Sequence, residues 1–213
     1  MSAEITAQTA DAVEREILAA HHLVLAYKGG PLWDTVGATL DVLRAFGVGV
    51  PSGKDFNERY ATTILGLIAM PSGVVLTPLQ LVLLLVHEAT HGVQWQKDPA
   101  RMPIWYLQHR EKRASYEAGA ITQAMAVQWA LTGSLPARVE DLPSALVYGY
   151  DLTPADRQLA QDELEQEATA IARGVIPVGP ARTALGVISR VQPDAIDGLA
   201  RVLIQQFSPG VLA

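Results

Sequence analysis

The 213-residue sequence contains no cysteine. This absence excludes disulfide bonds, iron–sulfur clusters, thiolate metal ligands and cysteine nucleophiles, and it fits a reducing compartment. Any metal site in the chain must therefore use histidine, aspartate or glutamate. A chain of this length can still bury a substantial core without covalent cross-links.

Charged residues are scarce, and basic ones are the rarer kind. They make up 18% of the chain, and 16 Lys and Arg against 22 Asp and Glu give a net charge of -6. The basic surface typical of nucleic-acid-binding proteins is missing, so we expect no nucleic-acid partner. Because 49% of the residues are hydrophobic, the composition excludes wholesale disorder. This apolar richness predicts a protein partner or a homo-oligomer that forms through apolar flanking helices.

The sequence has no uninterrupted apolar run long enough for a membrane span, which needs about 18 residues. The most apolar stretch, residues 64–86, is interrupted by Pro71, Ser72, Gly73, Thr77, Pro78 and Gln80. The first 16 residues contain Glu4, Asp11, Glu14 and Glu16 where a secretory signal would be basic and apolar. We therefore expect a cytoplasmic protein, or a virion protein if the gene belongs to a phage.

Apolar periodicity predicts helices over most of one domain, residues 1–213. The N-terminal helical region, residues 1–59, is expected to hold one helix that runs through Val13 to Tyr27, a second over residues 34–46 and a loop over residues 47–55. The C-terminal helical region, residues 133–213, is expected to hold helices over residues 154–173, 181–190 and 193–207. Thr153, Pro154 and Asp156 form the start signal of the first of these three.

The middle region, residues 60–132, is expected to begin with a β-hairpin. Residues 60–70 are β-prone, and the turn-forming residues 71–73 are expected to lead the chain back into residues 74–76. Thr77, Pro78 and Gln80 then form a helix-start signal, which predicts a helix over residues 78–97. This helix is apolar on nearly every face between residues 79 and 86, so we expect it to be buried. The predicted fold class is α+β and mostly helical, with one small sheet.

The buried helix carries the pattern His87, Glu88, Ala89, Thr90, His91. Residues four apart on an α-helix lie on one face, so both imidazoles can bind a single metal ion while Glu88 lies beside them. Two histidines and a glutamate in a buried helix would each be costly to desolvate, and a bound cation satisfies all three. The alternative is two core histidines that are satisfied by ordinary hydrogen bonds.

A catalytic metal site of this kind needs a third protein ligand. A helix is predicted from Gln108 to Leu131, and in it Glu117 stands among small residues that would let this helix approach the buried one. Glu117 is the favoured third ligand, and His109, Glu111 and the acidic residues beyond Asp141 are alternatives. Glu117 could instead form an ion pair with Arg113, one turn earlier.

Residues 60–131 resemble the gluzincin zinc metallopeptidases in a small, minimal form. The resemblance is carried by the HExxH helix, the β-prone run before it and the Glu117 helix after it. It implies a zincin-like metal-binding core over residues 60–132, Zn²⁺ bound by His87, His91 and Glu117, and Glu88 as the general base that activates water for attack on a peptide or protein substrate. In one respect the chain differs from the family. Many gluzincins have an acidic residue four positions after the third ligand, where this chain has Ile121.

Several functional questions stay open at the level of sequence. The donor to a developing oxyanion could be Tyr106, His109, Tyr116, Tyr148 or Tyr150. The protein could be a structural or assembly subunit, for example of a phage particle, with a metallopeptidase-like fold and little hydrolytic activity. It could also hydrolyse another amide, such as one in peptidoglycan.

Overall fold

A computed structural model describes residues 4–46, 52–58, 61–71, 73–135 and 153–213. Within these ranges the chain is mostly helical with one three-stranded sheet, as the sequence predicts. The helices are α1 (Ala7–Ala20), α2 (Pro31–Ala45), α3 (Gly53–Glu58), α4 (Pro78–Lys97), α5 (Met102–Gln108), α6 (Arg110–Thr132), α7 (Pro154–Ala172), α8 (Pro180–Val191) and α9 (Gly198–Phe207). The strands are β1 (Val24–Tyr27), β2 (Thr62–Ile64) and β3 (Leu67–Met70). In this part of the chain, no helix is both long and apolar enough to cross a membrane.

The sheet has the strand order β1–β3–β2, with β1 parallel and β2 antiparallel to β3. β2 and β3 form a hairpin with a two-residue turn, Leu65–Gly66, whose φ angles of 51° and 79° suit a tight hairpin. A hairpin therefore precedes α4, but it is not the predicted one. Both of its strands lie within residues 60–70, and residues 74–76, expected as the second strand, are not a strand. Residue 72 of the predicted turn lies outside the described ranges. Gly66 lies inside the β-prone run, and its positive φ allows the tight turn there.

The prediction of one helix through Val13 to Tyr27 is wrong beyond Ala20. α1 ends at Ala20, and residues 24–27 form β1. Pairing with β3 explains the difference, because the backbone N–H of Val24 donates to the Gly66 oxygen at 2.9 Å. Valine and tyrosine also favour strands, and their spacing happened to continue the helical stripe.

Two other predicted boundaries are corrected. The expected loop over residues 47–55 gives way to α3, where Ser52 Oγ accepts a hydrogen bond from the backbone N–H of Asp55 at 3.1 Å; residues 47–51 lie outside the described ranges. The expected helix over residues 193–207 is divided into a short 3₁₀ helix, Pro193–Ala195, and α9. Asp197 divides it, because its side chain caps α9 and accepts hydrogen bonds from the backbone N–H groups of residues 199 and 200.

α4 begins and ends where the sequence predicts. Thr77 and Gln80 form the expected capping box, in which each side chain accepts a hydrogen bond from the other residue's backbone N–H. Val82, Leu85 and Val86 are fully buried. Since α4 packs against α1, α6, α8, β2 and β3, it is the central helix of the described fold.

α6 packs against α4 and carries several small side chains. Among them, Ala114 and Ala118 are buried in the hydrophobic core. The helix ends at Gly133, whose φ of 69° forms a left-handed C-terminal cap. The short side chains allow the carboxylate of Glu117 to reach α4.

Lys28 is a fully buried cation directly after β1. Its Nζ donates to the backbone oxygen of Phe56 in α3 at 2.6 Å and to Thr62 Oγ1 in β2 at 3.2 Å. Burial lowers the pKa of Lys28 to about 8, while the negative charge of Glu88 acts in the opposite direction. Lys28 therefore ties β1, α3 and β2 together within electrostatic reach of Glu88.

The lowered pKa of Lys28 predicts how stability changes with pH. Between about pH 8 and pH 10.5 the unfolded chain retains a proton that the folded chain releases, so folding becomes more favourable as pH rises. We expect the free energy of unfolding to rise over this window by about 2–3 kcal/mol more in the native protein than in Lys28→Met. Urea denaturation at several pH values measures the difference, with exposed Lys54→Met as the control. Parallel pH profiles for the native protein and Lys28→Met would contradict this assignment.

Candidate metal centre

His87 and His91 lie one turn apart on α4 and point to the same place. Their Nε2 atoms are 3.2 Å apart, and their rings meet at 83° with centroids 4.8 Å apart. The side chain of His91 is buried, whereas that of His87 is 22% exposed. The pair is therefore accessible to solvent from the side of His87.

Glu117, fully buried on α6, completes the group. Its Oε2 lies 3.4 Å from His87 Nε2, and its Oε1 lies 3.5 Å from His91 Nε2. Among the described residues, these three form the one set of at least three His, Asp or Glu side chains that could hold a metal ion, with ligand atoms within 4.8 Å of one another. The alternative ligands His109 and Glu111 are exposed and lie outside this set. Asp141 falls outside the described ranges.

The spacing of the three donors suits a tetrahedral ion. Ligands bound at about 2.0–2.1 Å to a tetrahedral centre lie roughly 3.3 Å from each other. The two Nε2 atoms are 3.2 Å apart, and each lies close to a different Glu117 oxygen, His87 at 3.4 Å from Oε2 and His91 at 3.5 Å from Oε1. One ligand atom from each residue lies within 4.8 Å of the other two, which is close enough for one ion to reach all three after a small adjustment. Three protein ligands also leave the fourth position open, as in catalytic sites. The residues present therefore fit a divalent metal ion.

The pKa values of His91 and Glu117 indicate that a proton on His91 balances the charge of Glu117 when no metal is bound. Burial alone would lower the pKa of His91, but Glu117, assisted by Glu88 and Gln94, raises it to about 9. Burial alone would raise the pKa of Glu117, but His91 and His87 hold it well below the ordinary value of a glutamate. At neutral pH an imidazolium thus pairs with a carboxylate, and a metal cation must displace the proton.

Glu88 is buried beside this group without belonging to it. The hydroxyl of Thr63, on β2, lies 2.9 Å from both Glu88 Oε2 and the backbone oxygen of Glu88, which are its acceptors. The Glu88 carboxylate is therefore held from the strand that precedes α4. The sequence analysis missed Thr63, because a threonine in a β-prone run carries no signal of a metal site.

Gln94 was also missed by the sequence analysis. Its Oε1 lies 2.9 Å from His91 Nδ1, and its Nε2 donates to the backbone oxygen of Tyr116 at 2.9 Å. It thus supports a candidate ligand and links α4 to α6. The signal was present in the sequence, since Gln94 follows His91 by three residues and so shares its helix face.

Of the five candidate donors to an oxyanion, Tyr106 is the one that the described structure places in the group. Its hydroxyl donates to Glu117 Oε1, and its ring meets that of His91 at 80° with centroids 5.9 Å apart. Arg113 holds this part of α5 by donating to the backbone oxygen of Tyr106. Of the other candidates, His109 is exposed, and Tyr148 and Tyr150 lie outside the described ranges.

No family model, curated protein or solved structure matches the chain.

The raised pKa of His91 predicts that metal binding depends on pH. Because Zn²⁺ must displace the His91 proton, we expect the apparent affinity for Zn²⁺ to rise about tenfold per pH unit from about pH 7 to pH 9 and then to level off. Competition with a calibrated chelating dye measures this affinity. A constant affinity over that interval would show that His91 releases no proton on binding.

Removal of a ligand should abolish tight binding. We expect His87→Ala and Glu117→Gln each to weaken Zn²⁺ binding by at least about 100-fold. Loss of a residue that only supports a ligand weakens metal affinity by up to about 100-fold, and loss of a ligand itself should cost at least as much. Elemental analysis after dialysis, together with dye competition, measures the loss. His109→Ala and Glu111→Gln are matched controls that should bind as the native protein does, and a loss of zinc in either would point to a different ligand set.

Proposed function

We propose that this protein is a zinc-dependent metallopeptidase with His87, His91 and Glu117 as ligands and Glu88 as general base. The observation that carries the proposal is the group of His87, His91 and Glu117, with one ligand atom from each within 4.8 Å of the others, beside the buried carboxylate of Glu88. Histidine and carboxylate ligands with an open fourth position are typical of catalytic zinc rather than of structural zinc.

The chain's own residues supply the acid–base chemistry. When bound, zinc lowers the pKa of a coordinated water and polarises a carbonyl oxygen. Glu88 accepts the proton of the attacking water and delivers it to the leaving amine. Thr63 holds Oε2 of Glu88, so that the carboxylate is oriented before substrate arrives. We assign the stabilisation of the developing oxyanion to Tyr106, whose hydroxyl hydrogen would turn from Glu117 Oε1 to the substrate oxygen.

The edge strand β2 supports a peptide as the substrate. Ile64 and Leu67 flank the two-residue turn and form a hydrogen-bonded pair, so the next residue of β2, Thr63, directs its backbone N–H and C=O away from the sheet. Among the described residues, no strand pairs with that edge. An extended peptide that joins the sheet there would lie beside Glu88, which the Thr63 side chain holds.

The order of elements supports a gluzincin-like core within the proposal. A small sheet precedes the HExxH helix α4, and the helix that carries Glu117, α6, follows it and packs on it. The core of residues 60–132 proposed from the sequence contains the whole candidate site. Gln94 supplies a support for His91 that the family resemblance did not provide.

A second candidate function, a structural or assembly subunit that retains a metal, is favoured by exposed apolar side chains. On α2, Leu32 is 68% exposed, and Phe46 just after the helix is 83% exposed. On the sheet, Val24 is 63% and Leu65 is 77% exposed. Large exposed apolar residues of this kind are typical of surfaces that bind another protein.

Glu88→Gln separates the two functions. The peptidase proposal predicts that hydrolysis of casein or a peptide library is abolished by a chelator and restored by Zn²⁺. It also predicts that Glu88→Gln lowers the rate at least about 100-fold while zinc content stays that of the native protein.

The exposed variant Glu111→Gln is the matched control and should keep full activity. Hydrolysis that survives Glu88→Gln would refute the mechanism. A zinc-loaded native protein that cleaves no peptide but cleaves peptidoglycan would indicate another amidase, and one inert on both would favour the assembly subunit.

A further inference from the structure

We propose that Gln94 is a positioning residue, which orients His91 toward the metal ion and fixes the separation of the two ligand-bearing helices. The inference rests on the metal binding in the proposed function and is independent of peptide hydrolysis.

Two contacts determine how the Gln94 amide is oriented. The backbone oxygen of Tyr116 can only accept, so the NH₂ group of Gln94 must face it at 2.9 Å. The amide oxygen then faces His91 Nδ1 at 2.9 Å, and that nitrogen must carry a hydrogen. The position for an ion is therefore His91 Nε2, the atom that faces His87 and Glu117.

The same side chain links α4 to α6. Gln94 forms a hydrogen bond with the candidate ligand His91 on α4 and another with Tyr116 on α6, the residue directly before Glu117. Glutamine suits this position because it offers one acceptor and one donor in a plane, whereas glutamate has no donor and leucine has neither. The positions of His91 and Glu117 are thus coupled through one amide.

Gly119 leaves the space that this amide occupies. A Cβ at position 119 would lie 3.2 Å from Gln94 Nε2, closer than ordinary van der Waals contact. Glycine inside a helix costs about 1 kcal/mol relative to alanine, so helix stability does not explain a glycine in the middle of α6. Room for the Gln94 side chain does explain it.

The first test compares Gln94→Leu with Gln96→Leu. Gln96 lies on the same helix and donates to the backbone oxygen of His21, away from the site. We expect Gln94→Leu to weaken Zn²⁺ binding about 10- to 100-fold and Gln96→Leu to leave it unchanged. In the zinc-loaded native protein, NMR should show a His91 Nδ1–H signal that is protected from exchange, and Gln94→Leu should lose that protection. Native zinc affinity in Gln94→Leu, or an equal loss in Gln96→Leu, would overturn the inference.

Gly119→Ala is a second variant that removes no hydrogen-bonding group. The added methyl should stabilise α6, raising the melting temperature of the metal-free protein, and yet weaken Zn²⁺ binding about three- to tenfold by displacing Gln94. If Gln94→Leu does not fold, this variant decides alone, and an unchanged zinc affinity would overturn the inference. Weaker zinc binding in Gly119→Ala supports the role of Gln94 whether or not the native protein hydrolyses peptides. Absence of peptide hydrolysis by the native protein would overturn only the proposed function.

Discussion

Two imidazole nitrogens 3.2 Å apart each face an oxygen of the buried Glu117 carboxylate at 3.4–3.5 Å, and a positive charge among these three groups stabilises the arrangement. A buried carboxylate without a partner costs several kcal/mol, and two facing imidazole nitrogens cannot both present lone pairs to each other. A proton satisfies the group in the metal-free protein. A divalent cation meets the same need with all three side chains as direct ligands.

The fold supplies the rigidity that such a group needs. α4 is fixed by its capping box and by packing against α1, α6, α8, β2 and β3, and it presents both histidines from one face. α6 packs on α4 and contributes Glu117, whose carboxylate faces both histidines. The sheet adds Thr63, which holds Glu88 from outside the helix, and Lys28 anchors the same strand through Thr62. Within the middle region, β2, α4, α5 and α6 thus each contribute one part of the site.

The sequence predicted the structure best where a feature depends only on neighbouring residues. The capping box at Thr77, the apolar run in α4 and Gly133 at the end of α6 each depend on neighbouring residues alone, and these boundaries were predicted correctly. The HExxH spacing likewise brought His87 and His91 together, and the small residues around Glu117 indicated a close helix contact.

The errors arose where distant parts of the chain decided the outcome. Residues 24–27 form a strand because β3 pairs with them, although their spacing also suits a helix. The hairpin turns at Leu65 and Gly66, inside the β-prone run, although residues 71–73 carried the stronger local turn signal. Thr63 and Lys28 have roles that depend on the assembled sheet, so no local pattern could reveal them. Gln94 differs from these, since helical spacing alone would have placed it beside His91.

The zinc coordination shell tests the central claim most directly. X-ray absorption at the zinc edge of the loaded native protein should show four nitrogen or oxygen neighbours at about 2.0–2.1 Å, with the outer-ring scattering of two imidazoles. Six oxygen neighbours, or scattering from fewer than two imidazoles, would show that His87, His91 and Glu117 do not bind the ion together.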